Sequence, residues 1–287
     1  MDAKALILLA LKIAIAGTVL TYGLQAKRDD MLYIVHRPGL LLRSLIAMLV
    51  LMPLLVGVCV YFLDLRLPTA VVLTALAISP VPPMLPKKQE KAGGIAPYSL
   101  GLLVVLALVS IVTVPLTLVL LDWLFALPQG VGPVAIMAIV LKMIISPLAL
   151  GLVVAKLMPG IAASVSRPIH RFATVLLLAA SLVLLATTWH AIWLTTSLWT
   201  VVSIAAFVVV GLAVGHWLGG PAPEHASVLA LSTASRHPAI ALAISTASYP
   251  GEQFAPTLAL YLLLCTVLVI PYVRWQRRRS ALLSGSP

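Results

Sequence analysis

The sequence predicts an all-α polytopic membrane protein with about nine transmembrane helices. Of its 287 residues, 62% are hydrophobic and only 9% are charged, whereas soluble domains carry about 25% charged residues. The apolar runs reach the ~20 residues that a helix needs to cross a bilayer, and they lack the alternation of a membrane β-barrel. Because backbone groups in lipid must pair within the chain, helices are the predicted elements.

Nine apolar runs follow one another along the chain. They cover residues 5–24, 40–63, 67–86, 95–121, 131–155, 172–189, 191–218, 226–248 and 254–273. The first run has no small-residue cleavage site, so we interpret it as a retained span and not as a signal peptide. No connector is long enough for a soluble domain, which predicts a single membrane domain over residues 1–287 with a basic cytoplasmic tail at 274–287.

The basic residues predict the orientation of the chain. Lys and Arg are concentrated in the loops after runs one, three and five and in the tail, while the loops after runs two, four, six and eight contain only Arg66. Cytoplasmic loops carry such an excess, so we expect a cell-membrane protein with its N-terminus outside and its C-terminus in the cytoplasm. The net charge of +11 thus indicates a bilayer as the partner and not nucleic acid.

The third run is interrupted by proline. A proline lacks the N–H of a helical hydrogen bond and its ring clashes with the preceding turn, so a continuous helix is excluded here. The segment comprises Ser79 followed by the helix-breaking residues Pro80, Pro82, Pro83 and Pro86. Unwound backbone at this depth is typical of a transporter binding site. The alternative is a span that simply ends near the cytoplasm.

The eighth run is interrupted by a polar segment. It contains the candidate solute-binding residues Thr233, Ser235, Arg236 and His237, and ends in the helix breaker Pro238. A charged residue at mid-membrane costs at least ~2.5–3.5 kcal/mol, so Arg236 must face a partner or a cavity. We consider an electropositive site near a cavity, and alternatively a structural arginine bonded to free carbonyls. Pro238 frees one such carbonyl, that of Ala234.

Other cations lie in the runs, but no carboxylate does. Lys142 is predicted either to bind a carbonyl in a neighbouring kink or to form part of an anion site, and Lys12 to extend towards the interface. Together with Ser79, Lys142 completes the set of candidate solute-binding residues. Sodium sites and proton relays usually include carboxylates, and the runs contain none. The one residue near the second interruption whose ordinary pKa lies near neutrality is His237.

The chain resembles the bile acid:sodium symporter family, within a wider group that includes arsenite and auxin carriers. The likeness covers almost the whole chain. Its motifs are Leu51-Met52-Pro53, Ser79-Pro80, the segment LKMIISPLALG over 141–151 and the segment AIALA over 239–243. The resemblance implies an inverted-repeat fold with a panel and a core domain. The crossing, discontinuous core helices and their neighbours would then be residues 67–121 and 226–248.

The sequence departs from the family at both interruptions. Where the family tends to read Pro-Gly-Gly and then Ser-Asn, this chain has Pro80-Val81-Pro82 and then Leu85-Pro86. The family's Glu and Gln-Asn of the second crossing helix correspond to Thr233, His237 and Pro238. The family implies sodium symport, whereas the residues that hold Na⁺ are absent, so the coupling ion is left open between Na⁺ and H⁺. We hypothesise that Arg236 supplies a fixed positive charge near the vacated sodium site.

These observations favour a secondary transporter of a small, anionic organic solute. No glycine-rich nucleotide loop is present, which argues against an ATP-driven pump. An intramembrane enzyme would need a nucleophile and base, and His237 with Ser232 or Ser235 has no orienting carboxylate nearby; we expect no catalytic residue, metal or cofactor. A non-transporting membrane scaffold or sensor is the remaining alternative.

Overall fold

The structure is a computed structural model of the chain. It describes residues 3–26, 28–82, 84–125 and 141–283, together with residues 134, 137 and 138, and these described residues contain helices and no strand. The helices are α1 (Ala3–Gln25), α2 (Arg28–Leu32), α3 (Pro38–Leu45), α4 (Met52–Phe62), α5 (Leu67–Ile78), α6 (Leu85–Lys91), α7 (Ala96–Phe125), α8 (Ser146–Leu157), α9 (Pro159–Thr195), α10 (Leu198–Leu218), α11 (Pro223–Ala234), α12 (Pro238–Ser248) and α13 (Ala255–Leu283). π-Helical turns at Ile46–Leu51 and Leu141–Ile145 precede α4 and α8.

Among the described residues, four helices are long and apolar enough to cross a membrane. They are Pro38–Phe62, Pro159–Leu194, Leu198–Leu218 and Ala255–Ser280. Large apolar side chains on the outside of the long helices are widely exposed, for example Val112, Leu182 and Val267. Exposed apolar surface of this extent fits contact with lipid and not with water. The membrane character is therefore confirmed, while the count of nine spans stays a prediction.

Several predicted connectors are helical. The segment 87–91 lies in α6, and most of the predicted basic loop at 156–171 lies in α9, which starts at Pro159. The predicted boundary between the runs 172–189 and 191–218 is also inside α9, and the chain turns only at residues 196–197. Hydropathy marks where lipid ends, but a helix continues into water because its backbone bonds are internal. For the same reason α13 continues into the basic tail as far as Leu283.

The two predicted interruptions are present as breaks between α5 and α6 and between α11 and α12. Ser79 and His237, which each precede a proline, are extended with ψ of 142° and 100°, as the proline ring requires of its predecessor. Each following helix has a proline in its first turn, where a missing N–H costs nothing. The breaks lie together, since α5 packs on α12 and α6 packs on α11.

A stripe of glycines along α10 and at its C-terminal end brings α11 into the interior. Gly211, Gly215 and Gly219 recur every four residues and face α11; a β-carbon added at Gly215 would lie 2.5 Å from the Cα atom of Ala230. Small residues allow such close helix approach. Every residue of α11 from Ala226 to Ala234 is consequently buried, so the second break lies inside the protein.

Candidate functional site

Arg236 lies in the break between α11 and α12, with only 2% of its surface exposed. Its guanidinium donates from Nη1 to the Ser79 carbonyl at 3.2 Å and from Nη2 to the Met48 carbonyl at 2.9 Å. Ser79 ends α5 and Met48 belongs to the π-helical turn before α4. One side chain therefore joins both breaks to a third helix.

Proline explains why these carbonyls accept from a side chain. Ser79 is followed at three and four residues by Pro82 and Pro83, which have no N–H to offer. The Met48 carbonyl would pair in a π-turn with the N–H of residue 53, which is Pro53, while the Met52 N–H donates to the Ala47 carbonyl. Unpaired carbonyls in the interior are costly, and the guanidinium satisfies both. This geometry matches the structural alternative that the sequence left open for Arg236.

The backbone of the second break is satisfied by Tyr261 and by the first break. The Arg236 N–H donates to the Tyr261 hydroxyl at 2.7 Å, and that hydroxyl lies 3.3 Å from the Ala234 carbonyl that Pro238 leaves free. The His237 N–H donates to the Pro80 carbonyl at 3.0 Å. The two unwound segments are thus hydrogen-bonded directly to each other.

His237 has an unusual environment for a polar side chain. It is buried, and neither ring nitrogen has a hydrogen-bond partner among the residues that the structure describes; the same holds for Arg236 Nε. A buried polar group without a partner calls for an explanation. His237 therefore stays a candidate for a functional role, and its ring is adjacent to the contact between the breaks.

The hydroxyl groups of the predicted site bond mainly to their own surroundings. Thr233 Oγ1 donates to the Leu229 carbonyl at 2.5 Å, and Ser79 Oγ donates to the Ala75 carbonyl at 2.6 Å. Ser235 Oγ lies 3.6 Å from Cys265 Sγ. Such bonds satisfy local backbone, so these residues surround Arg236 but use their hydroxyls within the protein. Of the predicted helix breakers, Pro83 lies outside the described residues.

Lys142 lies apart from Arg236, at a cavity of about 460 Å³. The cavity separates α1 and the second π-helical turn from α12. Its lining comprises Leu11, Lys12, Ile15, Lys142, Met143, Ala239, Leu242, Ala243, Thr246 and Ala247. Lys12, interpreted from sequence as an interfacial residue, thus shares a cavity with Lys142. The only sequence signal for this cavity was the presence of a lysine inside an apolar run. Sequence spacing could not show that α1 lies close to α12, because the two helices are far apart along the chain.

A second polar cluster lies at the start of α11. Tyr33 Oη and His225 Nε2 are 2.9 Å apart. Burial lowers the pKa of His225; the Glu224 carboxylate opposes this shift, and the charges of Arg37 and Arg43 add to it. Neutral imidazole is therefore the favoured form at this junction between the α2–α3 region and α11.

Comparison with known proteins identifies the family of this chain. No curated protein matches the chain. The family model described as the sodium bile acid symporter family matches residues 12–193, well over half of the chain, and includes Lys12, Lys142 and the first break. The second break, where the sequence departs most from the family motif, lies beyond the matched residues. The resemblance drawn from the motifs is confirmed: the chain belongs to the sodium bile acid symporter family, whose members are transporters.

Proposed function

We propose that the protein is a secondary transporter of a small organic anion across the cell membrane, and that it works without sodium. The observation that carries this proposal is the buried Arg236 guanidinium, bonded to the Ser79 and Met48 carbonyls. Family membership supports the transporter class, and the local charge supports both the anionic solute and the missing sodium.

Carbonyl oxygens of unwound helices are the ligands that coupling cations use in transporters. Here the Arg236 guanidinium donates to such oxygens, and unlike a bound ion it is part of the protein and cannot dissociate. The contact between the breaks therefore keeps its positive charge whether or not an ion is bound. A sodium ion placed beside Arg236 would add a second positive charge to a buried site where no described carboxylate pairs with the guanidinium, which is electrostatically unfavourable.

Protons are the coupling ion that the site can accommodate. His237 is buried at the break with both ring nitrogens unpartnered among the described residues. A protonated imidazole would be costly there unless it gained water or a partner. Proton binding must therefore accompany a rearrangement of the breaks, and this is the property that a coupled transporter needs.

Flux measurements in proteoliposomes test the proposal. Candidate carboxylates and sulfonates would first be selected by thermal stabilisation of the purified protein, and their uptake then measured under inward gradients of Na⁺, of N-methylglucamine and of protons. We expect equal uptake with the first two and stimulation by the proton gradient, which His237→Gln should abolish. Arg236→Ala should lose uptake, whereas the exposed Arg171→Ala serves as the matched control.

Two outcomes would contradict this function. Uptake driven by a Na⁺ gradient that persists in Arg236→Ala would show that the guanidinium does not replace a cation. Absence of flux for every stabilising solute, under every gradient, would favour the non-transporting scaffold or sensor instead.

A further inference from the structure

The cavity lined by Lys12 and Lys142 carries a more specific inference about the solute. We propose that this cavity is the solute site and that it selects an organic dianion, an aliphatic chain with an acidic group at each end. The inference rests on the proposed function, since it names the solute class of that transporter. Neither lysine is needed for the arrangement around Arg236.

The charges at the cavity are of one sign. Lys12 comes from α1 and Lys142 from the π-helical turn, and none of the described residues that line the cavity is acidic. Two like charges that face one hollow repel each other. A monoanion can neutralise one of the ammonium groups, whereas a dianion can neutralise both.

The position of both lysines supports a functional cavity. Each lies inside an apolar run of the sequence, at 5–24 and 131–155, and a lysine there is costly unless it faces a partner or water. Both lysine side chains are exposed at this cavity, and an anion that enters it can be the partner of both. Two separate costs of this kind at one place point to a ligand.

The rest of the lining suits an aliphatic linker. Leu11, Ile15 and Leu242 provide apolar surface, and α12 contributes the small residues Ala239 and Ala243, which leave room. Thr246 is the remaining polar residue, and its hydroxyl donates to the Leu242 carbonyl at 2.8 Å. The lysines are therefore the available donors for acidic groups. The volume of about 460 Å³ lies within the range of small-molecule sites, about 300–1,000 Å³.

Solute binding at this cavity would act on the breaks through α12. The same helix starts at Pro238, directly after Arg236 and His237, and lines the cavity with one face. A dianion that draws α1 and the π-helical turn towards α12 therefore pulls on the helix that begins directly after His237, whose N–H donates to the Pro80 carbonyl. The proposed solute site and the second break thus share one helix, α12.

A matched ligand series tests the charge count on the full-length protein. Binding of octanamide, octanoate and octanedioate would be measured by calorimetry with the purified protein in detergent. We expect octanedioate to bind about tenfold to a hundredfold more tightly than octanoate, from one added charge-assisted contact, and octanamide to bind weakest. Lys12→Met and Lys142→Met should each make the two acids bind equally, whereas the exposed Lys156→Met should preserve the difference.

Salt provides a measurement that needs no variant. If two ammonium groups engage the diacid, added salt must weaken octanedioate binding more steeply than octanoate binding. Equal affinities of the two acids for the wild type, or a preference that survives both Lys→Met changes, would overturn the inference. Sodium-free uptake of monoanions alone would refute it and leave the proposed function intact. Lysine-dependent binding of octanedioate together with strictly sodium-driven uptake would support this inference and refute the proposed sodium-independent function.

Discussion

Replacing Arg236 by methionine should destabilise the protein strongly. Methionine keeps an unbranched side chain but removes both donors, which leaves the Ser79 and Met48 carbonyls buried and unpaired. Each such group costs about 1–3 kcal/mol, for a sum of about 2–6 kcal/mol. The variant no longer buries a charge, which offsets part of this cost. We therefore expect the free energy of unfolding to fall by about 2–4 kcal/mol.

Reversible unfolding in mixed detergent micelles measures this change. Arg171→Met, at an exposed position on α9, is the matched control and should change stability by less than about 0.5 kcal/mol. Arg236→Lys should fall between the two, because an ammonium group keeps the charge but lacks the fixed fork that reaches two carbonyls. If Arg236→Met were as stable as the wild type, the guanidinium would not be what holds the breaks together.

Three further changes probe other parts of the fold. Gly215→Ala forces a methyl group into α11 and should cost about 1–3 kcal/mol, whereas Gly160→Ala has open space and should cost nothing; thermal midpoints of the two variants decide. The lowered pKa of His225 predicts that stability is lost as the pH falls below about 6.5, where the unfolded chain binds the proton. In His225→Gln the thermal midpoint should therefore depend less on pH between about pH 8 and about pH 5. If the pH dependence of the midpoint were unchanged, another group would be responsible for it. Tyr261→Phe leaves the Arg236 N–H unpaired and should cost about 1–3 kcal/mol, measured in the same micelles; no loss would mean that another acceptor takes over.

The breaks were predictable because proline acts locally. Pro80 and Pro238 end their helices by removing an N–H and by restricting the residue before them, and neither effect needs tertiary contacts. The helix ends were less predictable for a physical reason. The start of α9 at Pro159 and the end of α13 at Leu283 lie outside the predicted apolar runs, where hydropathy reports the membrane boundary but not the extent of the helix.

The partners of Arg236 were only half accessible from sequence. The rule that identified the Ala234 carbonyl as free because of Pro238 also names the Ser79 carbonyl, which lies four residues before Pro83. Applied to Pro53 it would name Leu49, and the Met48 carbonyl is free instead because the π-helical turn shifts the pairing by one residue. Sequence can therefore name some of the carbonyls that need a donor. It cannot name the donor, because the contact between Met48 and Arg236 depends on how distant helices pack. The same limit hid the shared cavity of Lys12 and Lys142.

The cations of the membrane region divide into two groups by what their donors already hold. Two nitrogens of the Arg236 guanidinium are bonded to carbonyls of the protein, and the side chain is 2% exposed, so a solute can reach its remaining N–H groups only if the breaks rearrange. Lys12 and Lys142 line a cavity, and neither is among the residues that bond to the carbonyls of the breaks. An anion should therefore meet the lysines first, while Arg236 maintains the geometry that α12 transmits. Neutralising the lysines should then weaken solute binding without lowering the free energy of unfolding, whereas neutralising Arg236 should lower the free energy of unfolding and abolish uptake because the breaks lose their geometry.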